Sequence, residues 1–420
     1  AYVLACLLGR RRWLARLDGF DPAGQVTAAF PPGLAGQVIL AVDSIEAGFG
    51  RAGSIAVVHD TKTGRLSASL RVAAGAFALA EDYEQARLVA VWGDAQAAFC
   101  TEASPVVAIR WSEWAAPAAM EEQLAWLAEQ GAGSDDAGID SYRRFLEAAG
   151  PMAARHEVLV SLVADAKRIR AGGRRRARQA VSTEVLVREL RSFARRLESG
   201  GMAVAPLSPG ELAHALRVRM DPTAAPALDR RGRTLGATAG IVSPPNAGPL
   251  AAEVSWSHWR VEGSFHRGFL VTEWPRVDVR PAWMAELLLF GGAVRTISVV
   301  AEPVPLRQSR RAIERQATKL ASDAEQRERC GFRVSAAHRR AESAVAEREV
   351  ELVAGYAELR FTGVVVVSAA DLEELDEACQ AMAEVAGRVG VELRALHARH
   401  DLAVGACLPL ARALAPERST

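Results

Sequence analysis

Lysine is nearly missing from this chain: Lys62, Lys167 and Lys319 are the only three, and arginine carries almost all the positive charge. None of the three follows a glycine, so there is no Gly-Lys-Ser/Thr phosphate loop and a P-loop nucleotide site is excluded. The five cysteines (Cys6, Cys100, Cys330, Cys379, Cys407) are odd in number and form no C-x-x-C pair. They fit reduced, buried thiols and exclude a disulfide framework. No G-x-S-x-G nucleophile elbow occurs. His156-Glu157 opens like the zinc motif H-E-x-x-H, but Val160 stands where the second histidine is required. No apolar run approaches the roughly 20 residues that a membrane helix needs. A net charge of +1 provides no global attraction to nucleic acid or lipid.

What is present is ample material for cores: half of the 420 residues are hydrophobic and 24% are charged, enough for two or three domains. The first nine residues, AYVLACLLG, run into Arg10-Arg11-Arg12-Trp13. Basic residues and an aromatic directly after an apolar stretch are how a membrane helix meets the cytoplasm. The stub is therefore expected to be the end of an anchor, with an ordinary buried helix start as the alternative.

Apolar runs and alternation predict strands at 38–42, 55–59 and 65–72; in the last, Leu66, Ala68, Leu70 and Val72 alternate with polar residues, the period of a half-buried strand. Asp60-Thr61-Lys62-Thr63-Gly64 is a hairpin loop. A helix over 81–100 stacks Leu88, Trp92, Ala95 and Phe99, and a strand follows at 106–111. Helices are expected at 117–131 and 136–149, then a strand at 157–163, then a helix with Val181, Val185, Phe193 and Leu197 on one face. Ser208-Pro209-Gly210-Glu211 is capping-box chemistry.

Residues 221–250 are dense in Pro, Gly, Ala and Arg and predict a long loop. Strands restart at 254–261, 268–273 and 294–300. Residues 306–354 are strongly charged and helical in composition, broken near Gly331-Phe332, which predicts a protruding helical hairpin. A strand at 359–368 precedes a helix capped by Asp371, and 391–396 closes a second β-α-β unit. The predicted fold is α+β: two ferredoxin-like, split β-α-β subdomains with a protruding charged helical hairpin. The expected divisions are 1–30, the end of the anchor and juxtamembrane segment; 31–220, the first α+β domain; 221–250, a linker loop; and 251–420, the second domain with its helical insertion.

Few motifs promise chemistry. Gly48-Phe49-Gly50-Arg51-Ala52-Gly53 matches G-x-G-x-x-G, but Ser54 to Val58 reads as strand where the dinucleotide fingerprint requires a helix, and no acidic residue stands about 20 positions on. His397 and His400 with Asp401 lack a third metal ligand. An enzyme would have to assemble dispersed residues such as His266, Glu273 and Asp278. No catalytic residue, cofactor or metal site is assigned.

Two features suggest contact instead. The basic run 167–178, with Arg174, Arg175 and Arg176 at its centre, is a solvated face or mobile loop, a contact for anionic lipid or an acidic partner, or a nucleic-acid contact; no aromatics interleave with it, which weakens the last, and no specific nucleic acid is predicted. Trp256, Trp259, Trp274 and Trp283 cluster in a short stretch, as core packing or as a protein interface. Trp259, Trp274 and Arg276 are the candidate partner-binding residues.

Several short stretches carry a family resemblance: Pro31-Pro-Gly-Leu-Ala-Gly36, Ala56-Val-Val-His-Asp60, Arg65-Leu-Ser-Ala-Ser-Leu-Arg-Val72, Val91-Trp-Gly93 and Cys100-Thr-Glu-Ala-Ser-Pro-Val106, then Thr272-Glu-Trp-Pro-Arg276, Phe361-Thr-Gly363 and Leu408-Pro409-Leu410. The chain resembles actinobacterial membrane proteins of conjugative, type IV secretion-like elements, found beside a PrgI-like membrane protein and a VirB/TraC-type ATPase. It also resembles the N-terminal, non-ATPase domain of that ATPase. The resemblance implies a non-enzymatic component anchored at the cytoplasmic face of the cell membrane, docking the ATPase and the PrgI-like protein and using no cofactor. The alternative within the same class is an EccE-like membrane subunit of type VII secretion.

Overall fold

The computed structural model describes residues 11–15, 29–50, 53–73, 75, 77–117, 124, 127, 137–149, 154–169, 175–235, 242–275 and 278–412. The N-terminal stub and the central part of the basic run, 170–174, lie outside them.

Among the described residues one sheet of thirteen strands runs through the molecule, and its strand pairs are antiparallel. The first half supplies β2 (Gln37–Asp43), β3 (Ser54–Asp60), β4 (Arg65–Ala73), β5 (Val106–Pro117), β6 (Ala154–Asp165) and β7 (Ala203–Pro206). Helix α1 (Asp82–Ala97) follows β4, α2 (Ala137–Ala149) lies between β5 and β6, α3 (Arg175–Ser199) links β6 to β7, and α4 (Pro209–Met220) follows β7. The order β7-β4-β6-β5, with helices after β4 and β6, is the ferredoxin-like β-α-β-β-α-β unit.

The second half repeats this grammar. Its strands are β8 (Ala251–Val254), β9 (Trp259–Val261), β10 (Ser264–Glu273), β11 (Val294–Pro303), β12 (Leu359–Ala369) and β13 (Glu392–Ala395). The one-turn α6 (Ala285–Leu288) follows β10, α9 (Leu372–Arg388) links β12 to β13, and α10 (His400–Cys407) follows β13. The order β13-β10-β12-β11 matches that of the first half. The two units join where β5 pairs β11, with Ser112 opposite Ser298, so the halves share one continuous sheet. The α+β expectation holds, and the duplication is legible in strand order.

Between β11 and β12 stand α7 (Leu306–Arg329) and α8 (Ala336–Val353), the expected charged hairpin. Ile313, Leu320, Val345 and Leu352 form its own small apolar seam. The hairpin is an insertion in the strict sense, because Pro303 at the end of β11 still pairs Leu359 at the start of β12.

Side-chain alternation divides the cores between the two faces of the sheet. Val57 and Ile55 face α1 and α3, whereas Ala56 and Val58 face α4 and α10. On β12, Val365 and Val367 face α6 and α9, whereas Val364 and Val366 face the α4–α10 side. The α4–α10 core is continuous across both halves. On the opposite face two cores meet at the seam, where Trp111 packs against both.

Local signals formed as their chemistry requires. Gly64 (φ +77) closes the β3–β4 hairpin, its N–H donating to the Asp60 carbonyl at 2.8 Å. Ser208 accepts from the Glu211 N–H at 3.3 Å and the Ser208 N–H donates to Glu211 Oε2 at 2.9 Å, completing the capping box. Asp371 accepts from the Glu374 N–H at 2.9 Å.

Four expectations change. Strand β4 is buried on both faces from Leu66 to Leu70, because helices cover both sides; its polar positions hold small hydroxyls, and Ser69 Oγ lies 2.8 Å from Ser161 Oγ. The stretch 221–250 is not all loop: Ala- and Arg-rich α5 (Ala225–Leu235) forms there, with Pro226 tolerated in its first turn. Strand 254–261 is broken in two, since the Ser255 N–H and hydroxyl both donate to the His258 carbonyl (3.0 Å and 2.8 Å) and the His258 N–H donates back to Ser255 Oγ (3.1 Å), folding β8 back onto β9. Val181 of α3 is 38% exposed, and the buried stripe is Leu186, Val187, Leu190, Phe193, Ala194 and Leu197.

At the other end of the chain, Arg11–Leu14 forms β1, which pairs β8 at the sheet edge, and Trp13 packs against the α4–α10 core. No helix among the described residues is long and apolar enough to cross a membrane.

Candidate interaction surface

The deep ionisable groups are engaged in holding elements together. Arg110 of β5 is 1% exposed and points into the α4–α10 side. Its guanidinium donates to the carbonyls of Leu408 (2.5 Å), Leu410 (2.8 Å) and Arg412 (2.7 Å), fixing the segment after α10. Burial pushes Arg110 down to about 10, which leaves it charged at neutral pH. Arg295 of β11, fully buried, donates to the carbonyls of Leu288 and Phe290 at the end of α6 and lies 3.4 Å from Glu113 across the seam. Arg219 of α4 lies 2.8 Å from Glu157 and over the Trp114 ring at 5.6 Å. Burial alone would raise the Glu157 carboxyl, but Arg219 and Arg71 hold it below the ordinary range.

The dispersed enzyme residues do not converge. His266 is fully buried; its Nε2–H donates to the Met220 carbonyl at 2.8 Å, which leaves Nδ1 to accept from Ser368 Oγ at 2.8 Å. Glu273 is exposed seven residues further along the same strand, about 23 Å away at 3.3 Å per residue, and Asp278 is exposed in the loop beyond. His400 is also buried, with Nδ1 accepting from the Gly268 N–H (3.1 Å) and Nε2 donating to the Trp256 carbonyl (3.0 Å). His397 stacks on Trp256 with 5.2 Å between ring centroids. Among the described residues no group of three or more His, Cys, Asp or Glu could hold a metal ion. The G-x-G-x-x-G match falls in the connection between β2 and β3, with strand immediately after it.

The predicted partner-binding residues are placed unevenly. Trp259 is 0% exposed, packed in the core beside His266 at 5.6 Å, so its indole offers no surface to a partner. Trp274 is half-buried, edge-on to Trp283 at 6.3 Å, and its ring packs over Gly363 on the α6–α9 side. Of the four clustered tryptophans, Trp259 is core, Trp274 and Trp283 are half-buried, and Trp256 is 44% exposed. Arg276 and Arg174 lie outside the described residues; Arg175 and Arg176 open α3, where only their backbone is described.

A concave feature lies on the same helix. A cleft of about 1200 Å³ separates β2 from α3. Its floor is Val38, Leu40 and Val42, alternate residues that face the α3 side because Val38 pairs His59, Leu40 pairs Val57 and Val42 pairs Ile55. Its wall is Thr183, Val187, Arg188 and Arg191 of α3. A basic extension of about 470 Å³ shares Arg188 and Arg191 and continues along Arg195 and Arg196. Arg188, Arg195 and Arg196 are exposed. Acidic groups at the cleft are Asp43, Glu46 and Glu184, and Asp43 is engaged by the N–H groups of Ile45 (2.8 Å) and Glu46 (2.9 Å). Sequence reading overlooked this surface. The available signal was the recurrence of arginine at 188, 191 and 195, which the period of 3.6 places on one side of a helix.

Residues 152–271 match the model of the EccE family, described as a putative type VII ESX secretion system translocon. The matched segment begins just before β6 and runs through α3, β7, α4 and α5 into β10, so it includes the helical wall of the cleft and the stretch of chain that connects the halves, but neither strand of the β5–β11 seam. No curated protein matches the chain. The likeness is to a secretion-system family, and nothing in it points to conjugation, to a VirB/TraC-type ATPase or to a PrgI-like protein.

Proposed function

We propose that this chain is a membrane-associated component of a type VII-like secretion machine, at the cytoplasmic face, working by contact and not by catalysis. The match of residues 152–271 to the EccE family carries the reading. The interior supports it in a physical sense. The buried histidines His266 and His400 have both ring nitrogens in hydrogen bonds, and the buried arginines Arg110 and Arg295 bind backbone carbonyls of the chain itself. Groups committed in this way position elements and have no capacity left for acid–base turnover. The open features are instead a cleft beside a sheet edge and a projecting helical hairpin, which are surfaces for partners.

The test is affinity purification of the tagged full-length gene product from detergent-solubilised native membranes, with co-purifying proteins identified by mass spectrometry. Type VII secretion components are the expected companions. Recovery of a conjugation ATPase with a PrgI-like protein would transfer the assignment to the type IV class, and recovery of neither would overturn a secretion role.

A further inference from the structure

We infer that the outer edge of β2, under the arginine face of α3, accepts an extended acidic segment of a partner protein as an added strand. The inference rests on the contact reading above and specifies its surface and the chemistry of the occupant.

The argument begins with the internal duplication. In the first half β2 pairs β3, and in the second half β8 pairs β9, at corresponding ends of the sheet. The edge of β8 is filled: β1 adds to it in antiparallel register, Arg11 opposite Val254 through Leu14 opposite Ala251. Charge matches across that addition, with Arg12 3.3 Å from Glu253. The corresponding edge of β2 has no strand on it among the described residues, and it is the end of the sheet. The fold therefore shows, on one side, the event that the other side is built to receive. An unpaired edge strand presents a row of backbone donors and acceptors, and strand addition is a common way of meeting them.

The cleft defines the occupant. A strand laid beside β2 directs alternate side chains to the α3 side, where they extend the row Val38, Leu40, Val42 and meet Thr183 and Val187. Apolar side chains fit those positions. Arg188 lines the cleft beside them, 3.8 Å from Glu189, and Arg195 and Arg196 line its basic extension; their exposed guanidinium groups favour carboxylates, because arginine's planar fork pairs them at two points. An extended segment alternating small apolar and acidic residues satisfies both, and the β2 strand of a second copy does not, since it carries only one acidic residue, Asp43.

The experiment uses the full chain and a fluorescein-labelled short peptide alternating Glu and Val. The controls are the same peptide with a central Pro, which cannot extend a ladder, and a Lys/Val peptide. Anisotropy should give binding of the Glu/Val peptide at least about tenfold tighter than either control. The triple variant Arg188→Glu, Arg195→Glu, Arg196→Glu should lose about that factor. Hydrogen exchange should slow at 37–43 on peptide addition and nowhere else to the same extent. Equal binding of all three peptides, absence of binding, or protection centred elsewhere would overturn the inference. So would slow exchange, in the free protein, of those β2 amides that point away from β3, which would mean that the chain fills its own edge, or concentration-dependent self-association that the peptide reverses. Partner recovery from membranes is an independent readout, so this surface and the secretion reading can fail separately.

Discussion

Arg217 and Glu262 form a two-point ion pair, Nη1 to Oε1 at 2.7 Å and Nη2 to Oε2 at 2.6 Å, that fastens the last turn of α4 to the turn between β9 and β10. Glu262 sits at φ +48, a backbone region that side chains rarely adopt, and its carboxylate also accepts the Leu250 N–H at 2.6 Å. The pair joins the two halves of the molecule inside the segment that matches the EccE model.

Removing that carboxylate by Glu262→Ala leaves Arg217 only its longer contacts, to Asp221 at 3.5 Å and the Gly248 carbonyl at 3.4 Å, and the turn without its brace. The expected cost is about 2–3 kcal/mol, read as a lower urea midpoint by circular dichroism. Burial raises the Glu262 carboxyl, but the Arg217 hydrogen bond, the Leu250 N–H and the Arg217 charge together set it below its ordinary value of 4.5. The pair's contribution is therefore present above about pH 4.5 and lost as pH falls through the lower folded value. In Glu262→Ala the acid limb should be shallower; an unchanged limb would refute the assignment.

Histidines act at milder acidity. Burial pushes His266 and His400 down to about 4 from an ordinary 6.5, against the opposing pull of the Met220 and Trp256 carbonyls. Between those values the unfolded chain holds protons that the folded one refuses, so stability falls as pH is lowered through this window. Each histidine contributes up to about 1.4 kcal/mol per pH unit. His266→Gln should reduce the slope of unfolding free energy against pH between 6.5 and 5; an unaltered slope would show that the buried imidazole is not its source.

Arg110 makes a prediction about the far end of the chain. Arg110→Met should destabilise by about 3 kcal/mol or more, since the carbonyls of Leu408 and Leu410 lose a charged donor. Truncation after Cys407 should cost a similar amount. Combined, the two changes should fall short of additivity, because they remove the same contact. Full additivity would mean that Arg110 works elsewhere.

Gly268 lies directly under α10: a Cβ there would sit 2.1 Å from the Cβ of Ala403. Gly268→Ala should cost about 1–3 kcal/mol and loosen α10, seen as faster amide exchange over 400–407.

Replacing 307–352 by a short Gly-Ser linker should leave the sheet folded. The hairpin has its own apolar seam, and the Pro303–Leu359 pair already closes the strands beneath it. Cooperative unfolding of the shortened protein near the parent temperature is the expected result, and loss of the transition would show that α7 and α8 support the core.

Legibility in the sequence followed the range of the interactions. The Ser208 and Asp371 caps, the Gly64 turn and the break at Gly331 are decided within a few residues, and each was readable. The split β-α-β pattern was readable from the order of strands and helices. The seam was not, because opposing Ser112 to Ser298 depends on partners far apart in the chain, and neither strand announces which edge it will seek. Arg110 and Arg295 look like surface residues in a strand, since arginine is seldom buried, and only the carbonyls awaiting them explain their place. Trp259 misled for the opposite reason: an indole suits an interface or a core equally well, and periodicity in a three-residue strand cannot choose between them. The β2–α3 cleft needed the long crossover that brings Arg188 over Val38, and composition is silent on that.

The bond between β5 and β11 also determines how this chain can be cut. Over Ile109–Ala115 and Arg295–Ala301 each half covers the other's otherwise bare ribbon. Severed near residue 240, either piece would carry a long adhesive margin that favours antiparallel company. Expressed alone, each should mate with its own kind and yield twofold doublets in place of single halves.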